Sequence, residues 1–340
     1  MRNSTGNSTV RLALLGAGRI GQVHAKAIAA QPKATLVAVA DAFPKVAEAV
    51  AQAHGCAIAQ MDAIERDKTV DAVIICTPTD THADLIERFV RAGKAVFCEK
   101  PIDLDAARVR GCLKVVAENN GQLMVGFNRR FDASFQAMRR SVDDGTVGDV
   151  ELVQITSRDP SPPPLDYIAR SGGLLRDMMI HDFDMVRFLL GEEPVWVSAH
   201  AACLVDAAIG DAGDVDTASV VLETESGRQA TITNSRRATY GYDQRVEVFG
   251  SKGMAQAHNQ RPTSVEISTQ TGSMRPPVQD FFMSRYAQAY ETEIGHFVTC
   301  LMENKAMDPT GEDGLKALLL ADAAYLSLTE KRRVHVSEVE

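Results

Sequence analysis

Val10-Arg11-Leu12-Ala13-Leu14-Leu15-Gly16-Ala17-Gly18-Arg19-Ile20-Gly21 is the stretch that decides how this chain folds. A short, mostly apolar run of strand length enters a turn carrying three glycines, and a helix-compatible stretch continues to about Ala30. Strand, tight turn, helix is the context in which a Gly-x-Gly-x-x-Gly spacing has a physical meaning. Gly16 permits the turn, Gly18 lets a ligand approach the backbone, and Gly21 allows the helix to pack closely on the strand. The helix start at Arg19 and Ile20 offers amide donors and a partial positive charge, which suit a pyrophosphate.

Working outward, the β-rich run Ala34–Ala40 ends in Asp41, about twenty residues beyond the last glycine, where an acid can accept both hydroxyls of an adenosine ribose. Its charge repels a 2′-phosphate, so NAD is favoured over NADP, with Lys45 as the one nearby feature pulling the other way. A glycine turn in an unrelated α/β protein and a surface acid at a loop start are the alternatives. Val70–Cys76, Ala95–Cys98 and Gln122–Phe127 are further apolar runs of the kind buried parallel strands show. Helix-like segments Phe43–Ala53, Thr81–Ala92 and Asp105–Asn119 alternate with them, which predicts a doubly wound parallel sheet of the Rossmann type.

The pattern changes at about Asp149. Strand-like runs Asp149–Ser157, Pro194–Leu204, Asp216–Thr224, Arg228–Ser235 and Arg245–Phe249 follow with few helices between them, which predicts a large, mainly antiparallel sheet. One long helix is expected over Gly173–Leu190, and two more close the chain at Arg285–Glu303 and Thr310–Glu330. The fold class is therefore α/β at the N-terminus with an α+β second half. A chain of 340 residues exceeds the roughly 250 to 300 at which single cores stop growing, which fits two domains. The division is set at 1–130 for nucleotide binding and 131–340 for substrate binding and oligomerisation, with Met1–Thr9 read as a frayed polar tail.

A net charge of -9 with no Lys/Arg block disfavours nucleic acid and anionic membrane surfaces as partners, leaving a small molecule. The six cysteines are scattered without a Cys-x-x-Cys pair and read as reduced thiols, with no metal site. No apolar run approaches the roughly 20 residues that span a bilayer, so a cytoplasmic protein is expected.

Two stretches carry candidate chemistry. Glu99-Lys100-Pro101 follows a strand and puts a long cation at the carboxyl edge of the sheet, where it can steady an oxygen that develops negative charge. Cys76-Thr77-Pro78 ends the preceding strand at the same edge, with Cys76 read as a packing residue. Asp177 and His181, four residues apart in the expected helix, share a face, so Asp177 can support a His181 that acts as a base near neutral pH. From spacing alone, His181 reads more simply as a hydrogen-bonded helix histidine and Lys100 as a solvated surface lysine.

The ordered set Gly16-x-Gly18-x-x-Gly21, Cys76-Thr77-Pro78 with His82, Glu99-Lys100-Pro101, Gly126-Phe127-Asn128-Arg129-Arg130-Phe131-Asp132, Gly172-Gly173 and Asp177-x-x-x-His181-x-x-Asp184 resembles the glucose-fructose oxidoreductase and inositol dehydrogenase family. The resemblance covers nearly the whole chain after Thr9 and is strongest to the myo-inositol 2-dehydrogenase branch, through Ala40-Asp41-Ala42-Phe43-Pro44, Ser157-Arg158-Asp159-Pro160 and Tyr240-Gly241-Tyr242-Asp243. It implies a catalytic triad of Lys100, Asp177 and His181, and a cis peptide before Pro101. NAD contacts are expected from Gly16, Gly18, Arg19, Ile20, Gly21, Asp41, Thr77, Pro78, His82, Glu99 and Lys100. Asn128, Arg130, Asp159 and Tyr240 are expected to meet the substrate's hydroxyls together with the triad. The implied reaction is NAD-dependent oxidation of a cyclitol secondary alcohol, myo-inositol to 2-keto-myo-inositol, in a homotetramer built through the open sheet face. A dehydrogenase or reductase of another inositol isomer or an aldose, and a catalytically silent NAD-binding sensor, remain as alternatives.

Overall fold

A computed structural model describes residues 9–340. Except for Thr9, the tail expected over Met1–Thr9 lies outside the described residues. By its contacts the chain divides into two units, one made of residues up to Asn128 with Ala287–Leu315, the other of Arg129–Tyr286 with Lys316–Glu340.

The first unit alternates strand and helix: β1 (Val10–Leu15), α1 (Arg19–Ala29), β2 (Ala34–Ala40), α2 (Pro44–His54), β3 (Ala57–Ile58), α3 (Met61–Arg66), β4 (Ala72–Ile75), α4 (His82–Arg91), β5 (Ala95–Glu99), α5 (Ala106–Glu118) and β6 (Leu123–Gly126). All six strands are parallel, in the order β3-β2-β1-β4-β5-β6. Their apolar runs are continuous because both faces are covered: every residue of β4 and β5 is buried. Local chemistry sets the helix ends. Pro44 opens α2 and Gly55, in the left-handed region at φ 67°, closes it, while the Asp105 carboxylate accepts from the Ala107 amide at the start of α5. The strand order reverses beside β1, so the carboxyl ends of β1, β2, β4 and β5 meet at the edge where ligands of open α/β sheets bind.

A division at residue 130 assigns Ala287–Leu315 to the second domain, but its packing places it in the first unit. The helix Ala287–Glu303 lies against α1, with Gln31 Nε2 donating to the Glu291 carbonyl at 2.7 Å. The Val125 amide donates to the Pro309 carbonyl, and Gly314 sits against Ile102 and Val125 so closely that a Cβ there would come within 3.2 Å of Ile102.

In the second unit, α6 (Ala133–Asp143) is capped by Asp132, whose carboxylate accepts from the Ser134 and Phe135 amides. There follow β7 (Val150–Arg158), α7 (Leu165–Ser171), α8 (Ile180–Leu190), β8 (Pro194–Ala202), α9 (Ala207–Asp211), β9 (Thr217–Thr224), β10 (Gln229–Ser235), β11 (Asp243–Gly250), β12 (Gly253–Ala257), the hairpin strands β13 (Ile267–Thr269) and β14 (Gly272–Met274), and β15 (Val334–His335). The seven-stranded sheet runs β12-β11-β7-β10-β9-β8-β15. It is antiparallel except where β10 pairs parallel with β7. Residues alternate strictly along β9, where Val220 and Leu222 are buried and Val221 is exposed. α8 covers the inner face; Val221, Phe249 and Met254 remain exposed on the other.

The helix expected over Gly173–Leu190 is interrupted. Leu174–Met178 winds as a single π turn, closed by the Met179 amide donating to the Leu174 carbonyl, and α8 begins at Ile180. The cause lies in Gly172 and Gly173, both in the left-handed region, and in Asp214, whose carboxylate takes the Leu174 amide at 3.0 Å. A Cβ on Gly173 would lie 2.4 Å from Asp214 Oδ1 and 2.6 Å from the Tyr325 hydroxyl, so only glycine fits.

Candidate active site

In the first unit the three glycines of the β1–α1 turn do three different jobs. Gly16 sits at φ 88° with its amide on the Ala40 carbonyl, and a Cβ would lie 2.6 Å from the Cys76 backbone. Gly21 meets the Gly16 carbonyl oxygen, which a Cβ would approach to 2.1 Å. Gly18 has ordinary φ and, among the described residues, nothing within 4 Å of a Cβ position, so its small size leaves open space at the helix N-terminus, with Arg19 exposed beside it and Ile20 half-buried. That cradle fits a dinucleotide pyrophosphate.

Asp41 is held by the backbone on both sides: Oδ2 accepts from the Ala17 amide at 2.6 Å and Oδ1 from the Phe43 amide at 2.7 Å. Each oxygen retains acceptor capacity for a ribose hydroxyl. Lys45 lies exposed in the first turn of α2. At the end of β4, Cys76 is buried, and burial with the nearby Glu99 charge pushes its thiol well above the ordinary range, which suits a packing residue. Thr77 pairs its hydroxyl with Thr81 at 2.6 Å, and Pro78 is exposed.

His82 is buried, with Nε2 2.8 Å from the Thr77 carbonyl and Nδ1 2.8 Å from the Pro101 carbonyl. Burial lowers its pKa, against the pull of the two carbonyls and Glu99. Both ring nitrogens face backbone, so the ring sits between the turns that carry Thr77 and Pro101. Glu99, also buried, is 2.6 Å from His24 Nε2. Lys100 follows, half-buried, and the Lys100–Pro101 peptide is cis, as the resemblance implies.

In the second unit, Asp177 lies in the π turn and His181 in the first turn of α8, both half-buried. The Tyr167 hydroxyl donates to Asp177 Oδ1 at 2.9 Å. His181 is followed by two acids turned into the core. Asp182 is fully buried between Arg129 at 2.5 Å and Asn234 at 2.9 Å; burial raises its pKa and these two partners oppose the rise. Asp184 takes both Nε and Nη2 of Arg130, at 2.9 and 2.6 Å. These bidentate and doubly bonded anchors fix the rotation of α8 and hence the direction of the His181 face.

The Asp159 backbone amide donates to the Ser235 carbonyl at 3.0 Å. Its carboxyl is enclosed although the residue keeps some surface, and burial pushes its pKa up to about 7, with Arg236 pulling it down and Asp177 adding to the rise. Asp159, Asp177 and Arg236 therefore share one electrostatic neighbourhood. Tyr240 is exposed, with its hydroxyl donating to Asp243 at 2.5 Å and accepting from Arg158 at 3.1 Å. Asn128 is buried at the end of the first unit. Among the described residues no group of His, Cys, Asp and Glu could hold a metal ion, and no helix is long and apolar enough to cross a membrane.

Sequence reasoning did not single out His24, Tyr167, Arg129 or Arg236. The alternation Asp182-x-Asp184 within an apolar helix, opposite Arg129-Arg130, was the available signal for the two buried pairs.

Residues 10–127 match the model of the oxidoreductase family with NAD-binding Rossmann fold, and residues 135–256 match the GFO/IDH/MocA C-terminal domain. The chain is 65% identical over 329 residues to an inositol 2-dehydrogenase of Rhizobium meliloti (strain 1021), covering 97% of this chain and 100% of that protein. Among solved structures, a myo-inositol dehydrogenase from Corynebacterium glutamicum superposes with a TM-score of 0.93 at 44% identity, covering 96% of this chain and 98% of the other. A scyllo-inositol dehydrogenase from Lactobacillus casei, with NAD(H) and scyllo-inositol bound, superposes with a TM-score of 0.90 at 31% identity, covering 97% and 100%.

Proposed function

The chain belongs to the GFO/IDH/MocA oxidoreductase family, and from that premise we propose that it oxidises myo-inositol to 2-keto-myo-inositol with reduction of NAD. The observation that carries the reading is the 65% identity, over the whole of the relative's length, to an inositol 2-dehydrogenase. The Gly16–Gly21 cradle and the Asp41 carboxylate are the residues proposed to hold the pyrophosphate and the adenosine ribose. Bound NAD supplies the hydride acceptor.

The chain's own residues handle the proton. His181 is assigned as the base that takes the proton of the hydroxyl being oxidised, and Asp177 as the carboxylate that favours the resulting imidazolium. Lys100 donates a hydrogen bond to the same oxygen as its negative charge develops. Asp177 is already oriented by the Tyr167 hydroxyl, which lowers the reorganisation needed when His181 becomes charged. Asn128, Arg130, Asp159 and Tyr240 are proposed as contacts of the other ring hydroxyls, of which Arg130 is already engaged with Asp184 and Tyr240 with Arg158 and Asp243.

We further propose a homotetramer that covers the open face of the seven-stranded sheet. Its support is the exposed Val221, Phe249 and Met254 on that face. A cytoplasmic location is proposed as well, since the six free thiols suit a reducing compartment.

The test is NADH formation followed by absorbance, with NAD or NADP and a panel of myo-inositol, scyllo-inositol, chiro-inositols and glucose. Dominant turnover of myo-inositol with NAD is expected. A preference for scyllo-inositol, the ligand of the Lactobacillus casei relative, would replace the substrate and keep the roles. Silence with NAD still bound would overturn the reading in favour of a sensor.

A further inference from the structure

We propose that His24 and His82 are positioning residues for Lys100, each pinning the chain on one side of it. The inference rests on the reading of Lys100 as the group that steadies the reacting oxygen. On the preceding side, the Glu99 carboxylate is packed against the neighbouring strand. It is buried, and Gly126 on the neighbouring strand packs so closely that a Cβ there would be 3.3 Å from Glu99 Cδ. A carboxylate out of water requires a donor, and His24 Nε2, 2.6 Å away, is in position to donate.

The imidazole of His24 is itself immobile. It is fully buried in α1, edge-on to Phe97 with ring centroids 5.0 Å apart and to Tyr290 at 5.4 Å. Among the described residues its Nδ1 meets no partner, so Nε2, facing Glu99, is the nitrogen that makes the bond. On the following side, His82 at the start of α4 lies against the Pro101 carbonyl, and its other nitrogen reaches the Thr77 carbonyl after β4. The residue before Lys100 is thus tied to the dinucleotide helix, and the residue after it is braced by the buried His82 ring, whose single N–H in the neutral form bonds one of the two carbonyls while the ring packs against the other.

The physical reason for two anchors is the length of the side chain they serve. A lysine has four rotatable methylenes, so the position of its ammonium depends on the backbone it starts from as well as on its own contacts. Displacements of the order of 1 Å in a group that acts on the reacting atoms cost up to about 100-fold in rate. Neither histidine needs to touch substrate or cofactor for this effect.

The experiment uses the full-length protein and the variants His24→Leu, His24→Gln and His82→Phe. Three quantities are read: kcat and KM at saturating NAD, the NAD Kd by calorimetry, and the rate at which trinitrobenzenesulfonate labels Lys100, followed by peptide mass spectrometry without substrate. His24→Leu is expected to lower kcat by about 10- to 100-fold, with the NAD Kd within about twofold of the parent and Lys100 labelling changed against a constant background of other lysines. His24→Gln, whose side-chain amide can restore the donor to Glu99, should recover most of the loss. His82→Phe should repeat the loss of kcat and the change in Lys100 labelling, and decides the matter if His24→Leu does not fold; its NAD Kd is not a criterion, because His82 also lies against Thr77. Parental kcat and labelling in the Leu and Phe variants would overturn the proposal. So would a parallel loss of kcat and NAD affinity in His24→Leu, or a folded Gln variant no better than Leu. If the parent itself binds NAD and turns over no polyol, the functional reading fails instead, and the labelling rates alone judge the clamp.

Discussion

Replacing Asp159 by Asn should stabilise the protein at pH 8 and leave it almost unchanged near pH 4. Burial holds the Asp159 carboxyl at about 7 in the folded chain against an ordinary value of 3.8. The fold therefore favours the protonated acid, and linkage fixes the sign. Between roughly pH 4 and 7 the native state binds a proton that the unfolded chain has lost, so raising the pH costs stability, with the full penalty present above about 7. A gap of about three pH units corresponds to about 4 kcal/mol at ~1.4 kcal/mol per unit. Because Asp159 retains some surface and Arg236 offsets part of the burial, we take about 2 kcal/mol as the expected gain. Asn keeps the shape and an acceptor but cannot ionise. Urea unfolding of parent and variant at pH 4.5 and pH 8 measures the difference at each pH, so titrations elsewhere cancel. A stability difference equal at the two pH values would refute the argument, as would a variant less stable at pH 8.

Two further outcomes follow from the geometry. Gly21→Ala forces a Cβ to within 2.1 Å of the Gly16 carbonyl oxygen; relief by shifting the turn should cost about 1–3 kcal/mol and weaken NAD binding by about tenfold or more, and calorimetry showing an unchanged Kd would remove the close-packing role. Arg129→Leu removes the cation from the fully buried Asp182, leaving it the Asn234 amide, and should cost about 3–5 kcal/mol in urea unfolding, while the double variant with Asp182→Asn should recover a large part, and strict additivity of the two would refute the pairing.

What could be read without coordinates follows the range of the forces involved. The parallel strands of the first unit were legible because burial on both faces writes an uninterrupted apolar run, and the glycine spacing and Asp41 mark their site within one strand-turn-helix. The parallel pairing of β10 with β7 was not, since nothing local distinguishes it from the antiparallel pairs around it. The break at Met179 was equally hidden: it depends on Asp214, forty residues away in sequence, taking the Leu174 amide. Asp177 and His181 were found by spacing, but Tyr167, which orients Asp177, lies in a short helix beyond the proline-rich loop where no periodic signal exists. Arg130 was expected to meet the substrate's hydroxyls and Arg129 was not singled out; only the fold shows both guanidiniums buried against acids of α8.

The membership of Ala287–Leu315 in the first unit bears on how the protein is made. The nucleotide-binding sheet is translated early, yet the helix that lies along α1 and the segment that bonds Val125 leave the ribosome only after the whole seven-stranded sheet apart from β15. Until then the nascent first unit carries an unfinished apolar flank. The binding sheet of this protein is written before the seven-stranded sheet yet completed after most of it, and the chain between must stay clear of that flank while synthesis proceeds.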